Sequence, residues 1–173
     1  MGGKYTPTVP LAQALAASSN IGTASLLEEL GGPRHLVDFA DRLGFEKRWL
    51  PEELGLALGQ GEVTPLEMAS FSAAVINGGR KATGSPVLLA RDAAQQIPVG
   101  ALSQERPVMS PEAAALTREL MRGVVLSGTG GAIRGVNGVV GYTGEAIGKT
   151  GTTDNEFDLW FVGGTPHYAS ALW

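Results

Sequence analysis

An α+β fold, with an antiparallel sheet flanked by helices, follows from two features of this 173-residue sequence. Its middle carries helix-start signals at Thr64-Pro65-Leu66-Glu67 and Ser110-Pro111-Glu112. In each, a hydroxyl N-cap, a proline at the first helical position and an acidic residue in the first turn precede an apolar segment of helical period. Its end carries three apolar runs instead. Ala146-Ile147 leads into Gly148-Lys-Thr-Gly-Thr-Thr153, and Phe157 to Val162 and Tyr168 to Trp173 follow after the turns Asp154-Asn155-Glu156 and Gly163-Gly164-Thr165-Pro166. Short apolar runs punctuated this way read as antiparallel strands.

Taken in order, prolines extend Thr6 to Pro10, and Leu11 to Ala17 is a short alanine-rich helix that stops at Ser18-Ser19-Asn20. Ser19 or Asn20 can cap the next helix, Ile21 to Leu30, which ends at Gly31-Gly32. The plainest role for Ser18 and Asn20 is that same cap. Pro33 opens a third helix with Leu36, Val37, Phe39, Ala40 and Leu43 on its apolar side, closed by Gly44, and residues 46–62 form a Gly- and Leu-rich connection. The Thr64 helix runs to Asn77 and stops at Gly78-Gly79. Val87 to Ala90 then reads as a strand, with Arg106 to Met109 as its return. The Ser110 helix continues to about Leu126.

Composition narrows the function. The chain is 43% hydrophobic and 17% charged, which suits one domain with a core and carries no disorder signature. A net charge of −4 without a basic cluster argues against nucleic acid, whose backbone is bound mainly by clustered Lys and Arg. There is no cysteine, and the two histidines, His35 and His167, lie far apart without ligand spacing, so neither a metal nor another cofactor is expected. No apolar run approaches the roughly 20 residues that span a bilayer. Ser127 to Gly135 imitates a dinucleotide loop, but Ile133 stands where the third glycine is needed and the preceding segment is helical by pattern.

Binding chemistry concentrates in Gly148 to Thr153. Gly148 and Gly151 weaken a strand interior unless something approaches its backbone closely, and they flank a cation and hydroxyls. Lys149 offers a charge and Thr150 and Thr152 offer donors, while an unpaired strand edge can hold an extended peptide or a developing oxyanion. The group suits a carboxylate ligand.

With Ser18-x-Asn20 upstream and Lys149-Thr150-Gly151-Thr152 downstream, the sequence resembles the transpeptidase domain of penicillin-binding proteins, serine acyl enzymes marked by SxxK, a Ser/Asn motif and KTG. Glu62-Val-Thr-Pro-Leu-Glu-Met-Ala69, Gly123-Val-Val-Leu-Ser-Gly-Thr-Gly130 and Gly148 through Pro166 resemble the bifunctional class A members, and the resemblance covers nearly the whole chain. It implies a fold like that of the serine β-lactamases, here incomplete at both ends. The SxxK segment, the first strands and the closing helix are expected outside residues 1–173.

The resemblance further implies roles. Ser18 would relay a proton, Asn20 would bond the substrate's peptide amide, and Lys149 would polarise Ser18. Thr150 and Thr152 would bind the carboxylate of a D-alanyl-D-alanine stem peptide or of a β-lactam, with Gly151 and Thr153 completing the binding strand, and the Thr152 amide would be one oxyanion donor. No serine in the sequence is followed by lysine at the SxxK spacing, so no nucleophile is assigned and the chain alone is expected to be inactive. The implied location is outside the cytoplasmic membrane, in a membrane-anchored parent. Loss of a first strand would leave residues 168–173 free to self-associate. Two alternatives stay open. One is a non-catalytic peptide- or partner-binding module of the same fold; the other is an unrelated serine hydrolase using His167.

Overall fold

A computed structural model describes residues 8–82, 89–91, 96–98 and 105–173. Its helices are α1 (Leu11–Ala16), α2 (Asn20–Glu29), α3 (Pro33–Leu43), α4 (Pro65–Ile76) and α5 (Pro111–Ser127). Its strands are β1 (Arg80–Lys81), β2 (Leu89–Arg91), β3 (Gln96–Pro98), β4 (Arg106–Pro107), β5 (Gly135–Val136), β6 (Val139–Val140), β7 (Ile147–Thr152), β8 (Leu159–Gly164) and β9 (Ala169–Leu172). The expected α+β architecture is present. Strands β7, β8 and β9 form one antiparallel sheet in that order, with Lys149 opposite Val162 and Val162 opposite Ala171.

Period-two alternation decides which face of this sheet is covered. Ile147, Lys149 and Val162 share a face, and Ile147 and Val162 are buried there. Helices α4 and α5 pack on the sheet, α5 along β7 and α4 along β8 and β9. Val75 of α4, Met121 of α5 and Ile147 of β7 form a buried cluster flanked by Phe71, Ile76 and Met109. Burial of a valine such as Val75, Val124 or Val125 contributes roughly 1.5–3 kcal/mol each. The one fully buried polar side chain among the described residues, Ser72 of α4, donates to the Gly163 carbonyl at 2.7 Å and so is satisfied on the sheet.

The helix starts form as their residues dictate. Ser110 Oγ accepts from the Ala113 amide at 3.1 Å. Thr64 Oγ1 accepts from the Glu67 amide at 3.2 Å, and Glu67 Oε2 accepts from the Thr64 amide at 2.7 Å, a reciprocal capping box. The other oxygen of Glu67 accepts from the Glu46 amide at 3.2 Å, which ties the beginning of the connection after α3 to the start of α4. That connection is not featureless: short 3₁₀ turns occupy Lys47–Trp49 and Leu54–Leu58.

Three expectations need correction. Arg106 to Met109 is not the return of the Val87–Ala90 strand. Gly78 and Gly79, at φ +61° and +87°, turn the chain so that the Val108 amide reaches the Gly79 carbonyl at 2.9 Å, and β4 therefore pairs with β1. Strand β2 pairs with its near neighbour β3, and residues 87 and 88 lie outside the described set. The hairpin β5–β6 was not anticipated, although Asn137-Gly138 between valines is a strong type I′ turn signal, and both residues adopt positive φ, +51° and +82°. Finally, α2 starts one residue earlier than expected because Ser19 caps it, its Oγ accepting from the Gly22 amide at 3.2 Å.

The capping box yields a pH-dependent expectation. Burial raises the Glu67 carboxyl pKa, but hydrogen bonds from the Thr64 amide and hydroxyl and the Glu46 amide outweigh it and hold the pKa below 4.5. A carboxylate with a lowered folded-state pKa contributes stability that is complete above its unfolded value and is lost as pH falls through the folded one. Thr64→Ala should destabilise the chain by about 1 kcal/mol in urea unfolding. The advantage of wild type over Glu67→Gln should be full at neutral pH and vanish in acid; a pH-independent gap would refute this account.

Candidate active site

The site begins with how α1 ends. The Ser18 amide bonds the Leu15 carbonyl at 3.1 Å and the Ser19 amide bonds the Ala14 carbonyl at 2.9 Å, which together make a Schellman motif. The residue at the left-handed position of that motif is ordinarily glycine. Here it is Ser18, at φ +53°. Left-handed backbone costs an L-residue about 1–2 kcal/mol, so the serine is kept at the expense of stability, and non-glycine strain of this kind clusters at functional positions. The strain aims the Ser18 side chain at the sheet. Lys149 Nζ donates to Ser18 Oγ at 2.8 Å, joining residues 131 apart in sequence.

Lys149 projects from β7, an edge strand of its sheet among the described residues. Its ammonium also donates to the Thr150 carbonyl at 2.6 Å. Among the described residues no ion pair neutralises it, and burial pushes its pKa below the ordinary 10.5. A half-buried ammonium whose charged form is disfavoured, bonded to a hydroxyl, is suited to exchanging a proton through that hydroxyl.

The strand's glycines have visible causes. The Phe161 ring, diagonal to Gly148 across the β7–β8 pair, lies where a Cβ on Gly148 would stand. Gly151 opposes Trp160, whose Cβ would be 3.3 Å from a Cβ placed on the glycine. Thr152 ends β7 and is exposed. Thr153 is used differently: its hydroxyl accepts from the Asp158 amide at 2.8 Å and its own amide donates to the Asp158 carbonyl at 3.1 Å, closing the turn into β8. Asn155 and Glu156 in that turn both sit at φ +60°.

The structure thus brings together Ser18, Lys149 and Thr150, and β7 continues through Gly151 to Thr152. Asn20 opens α2 and is exposed; among the described residues its side chain makes no hydrogen bond. One residue that sequence reasoning passed over joins the group. Thr129 Oγ1 lies 2.7 Å from Thr150 Oγ1, and the Thr129 amide donates to the Ala16 carbonyl at 3.0 Å. The signal was the Gly128-Thr-Gly130 sequence just past a helix end. His35 and His167 are exposed and remote from this group; His35 Nδ1 contacts the Gly31 carbonyl at 3.0 Å, and His167 lies in the β8–β9 turn with its amide on Thr165 Oγ1 at 3.3 Å.

A lysine on an edge strand is thus bonded to a strained serine at a helix end. The chain belongs to the penicillin-binding protein transpeptidase family: the family model described as "Penicillin binding protein transpeptidase domain" matches residues 2–169. Penicillin-binding protein 1A of Neisseria meningitidis is 34% identical over 176 residues, covering 99% of this chain and 21% of the relative. Penicillin-binding protein 1B of Buchnera aphidicola is 33% identical over 159 residues, covering 92% of this chain and 20% of the relative. The chain therefore spans about a fifth of the length of these curated relatives.

Solved structures share the fold. The D,D-transpeptidase domain of a peptidoglycan glycosyltransferase from Eggerthella lenta superposes with a TM-score of 0.69 at 25% identity, covering 94% of this chain and 47% of that one. The penicillin-binding protein PonA1 from Mycobacterium tuberculosis superposes with a TM-score of 0.79 at 23% identity, covering 97% of this chain and 48% of that one. The helix-flanked antiparallel sheet is thus the transpeptidase fold of this family. Among the described residues no helix is long and apolar enough to cross a membrane.

The strain at Ser18 can be separated from its hydroxyl. Ser18→Gly and Ser18→Ala both delete the hydroxyl, but only glycine relieves the left-handed backbone. Ser18→Gly should be more stable than Ser18→Ala by about 1 kcal/mol in thermal or urea unfolding. Equal stabilities would show that Ser18 is not strained.

Proposed function

We propose that this chain supplies the Ser/Asn and lysine half of a D,D-transpeptidase site, in a protein that cross-links peptidoglycan stem peptides outside the cytoplasmic membrane. The observation that carries the reading is the 2.8 Å bond from Lys149 Nζ to Ser18 Oγ, which unites the two motifs across the chain. Family membership and the named relatives support it.

In this reading a serine hydroxyl outside these 173 residues attacks the carbonyl between the two D-alanines, since the sequence holds no SxxK. An ester forms, the peptide C–N bond breaks, and the departing D-alanine amine takes a proton through Ser18. The incoming amine then attacks the ester, loses its proton along the same path and restores the serine. Lys149 holds the Ser18 hydroxyl in line and readily exchanges its proton because burial has lowered its pKa. Thr150 and Thr152 hold the terminal carboxylate, the glycine at 151 leaves room for close approach, and the Thr152 amide on the strand edge serves the oxyanion. Asn20, on the first turn of α2, binds the peptide amide. Thr153 acts by fixing the end of the strand, its hydroxyl being taken up by Asp158. A β-lactam enters the same cleft as a carboxylate-bearing acyl donor.

Fluorescent penicillin tests the assignment. The 173-residue chain alone should form no denaturation-resistant adduct, and joining it to an upstream SxxK segment should restore labelling. In the joined protein, Lys149→Ala should slow labelling by about a hundredfold, the range for loss of one electrostatic donor. A change below threefold would reduce Lys149 to a solvated strand residue. A joined, folded protein that does not label would favour a non-catalytic binding module.

The same reading extends to β9. Its outer edge has no partner among the described residues, and Tyr168, Leu172 and Trp173 are 77%, 61% and 72% exposed. Neither lysine nor proline guards residues 168–173. We expect the isolated chain to self-associate through this edge and Leu172→Lys to suppress association in light scattering. A monodisperse wild-type monomer would overturn this.

A further inference from the structure

Thr129, like Lys149, bonds to both the α1 end and β7. Its amide bonds the Ala16 carbonyl, at the helix end that places Ser18, and its hydroxyl bonds the hydroxyl of Thr150 on the lysine strand. Two local features make this reach possible. The Ala16 carbonyl lies where a Cβ on Gly128 would stand, so only glycine lets the loop press against α1. The Gly130 amide then bonds back to the Val124 carbonyl at 3.1 Å, which fixes the loop to the end of α5. The hydroxyl of Thr129 is therefore presented from a braced loop.

Hydrogen-bond inventory gives this contact a direction. Each threonine hydroxyl has one proton to donate. If Thr150 donated to Thr129, its proton would point away from a ligand. If Thr129 donates to Thr150, the Thr150 proton is free for an incoming carboxylate, and the accepted bond polarises Thr150 into a better donor. We propose that Thr129 is a positioning residue that donates to Thr150 Oγ1, locks its rotamer and thereby sets the cleft's preference for ligands ending in a free carboxylate. The proposal rests on the carboxylate-binding role given to Thr150 above, and it adds a residue that touches Thr150 rather than the ligand.

Two measurements on the 173-residue chain test it independently. In NMR, scalar couplings should show a single Thr150 χ1 rotamer in wild type and in Thr129→Ser, but rotamer averaging in Thr129→Val, which keeps the volume without the donor. Unaveraged couplings in Thr129→Val would overturn the positioning role whether or not any ligand binds. Chemical-shift titration should then compare N-acetyl-D-alanyl-D-alanine with its C-terminal amide. Thr129→Val should weaken the carboxylate form about fivefold, the scale of one ordinary hydrogen bond, leave the amide unchanged and be rescued by Thr129→Ser. Equal weakening of both forms would overturn the donor direction and leave Thr129 a packing residue. Absence of carboxylate preference in wild type would instead refute the binding role of Thr150, while the coupling result still decides whether Thr129 positions it.

Discussion

The meeting of α1 with Lys149 rests on one left-handed serine. Ser18 is held in that conformation from behind by the two bonds of the α1 Schellman motif and by the Thr129 amide on the Ala16 carbonyl. Its strain of about 1–2 kcal/mol is a sizeable fraction of the 5–15 kcal/mol that keeps an ordinary domain folded. Such strain persists only when several contacts determine the same backbone, and here they do. Without it the side chain at position 18 would not meet Lys149.

The lysine is supported with equal care. An edge strand is normally a mobile place for a functional group, but β7 begins in the core, where Ile147 packs with Val75 of α4 and Met121 of α5. The same strand passes from buried to exposed along its length, so its start anchors it and its end, at Thr152, meets solvent. Lys149 lies at the transition, half-buried, where desolvation lowers its pKa. Phe161 covers Gly148 from the opposite side and stiffens a strand that its glycines would otherwise loosen.

Much of this was legible in the sequence because the signals were local. The Thr64-Pro65-Leu66-Glu67 box, the closing Gly44 and the β7–β8 hairpin all follow from residues within a few positions of one another, and all are present. Ser18, Lys149 and Thr150, which the fold brings together, could be singled out from Ser18-x-Asn20 and Lys149-Thr-Gly-Thr152. What escaped depends on approach in space. That Ser19 rather than Asn20 caps α2, and that Ser18 takes the left-handed position, is decided by the Schellman geometry of α1. The pairing of Arg106–Pro107 with Arg80–Lys81 depends on how two positive-φ glycines steer the chain. Thr129 looked like part of a failed nucleotide loop because its two partners lie on α1 and β7. The Asn137-Gly138 hairpin was readable and was missed.

The 131-residue separation between Ser18 and Lys149 also says when the site exists. Contacts so distant along the chain carry a loop-closure penalty that local turns do not, and they form once the sheet and its helices have docked. The lowered pKa of Lys149 is therefore a property of the assembled chain alone; in a partly folded species the amine is an ordinary lysine. An opening that parts α1 from β7 would break the Ser18–Lys149 bond while leaving β7 paired with β8.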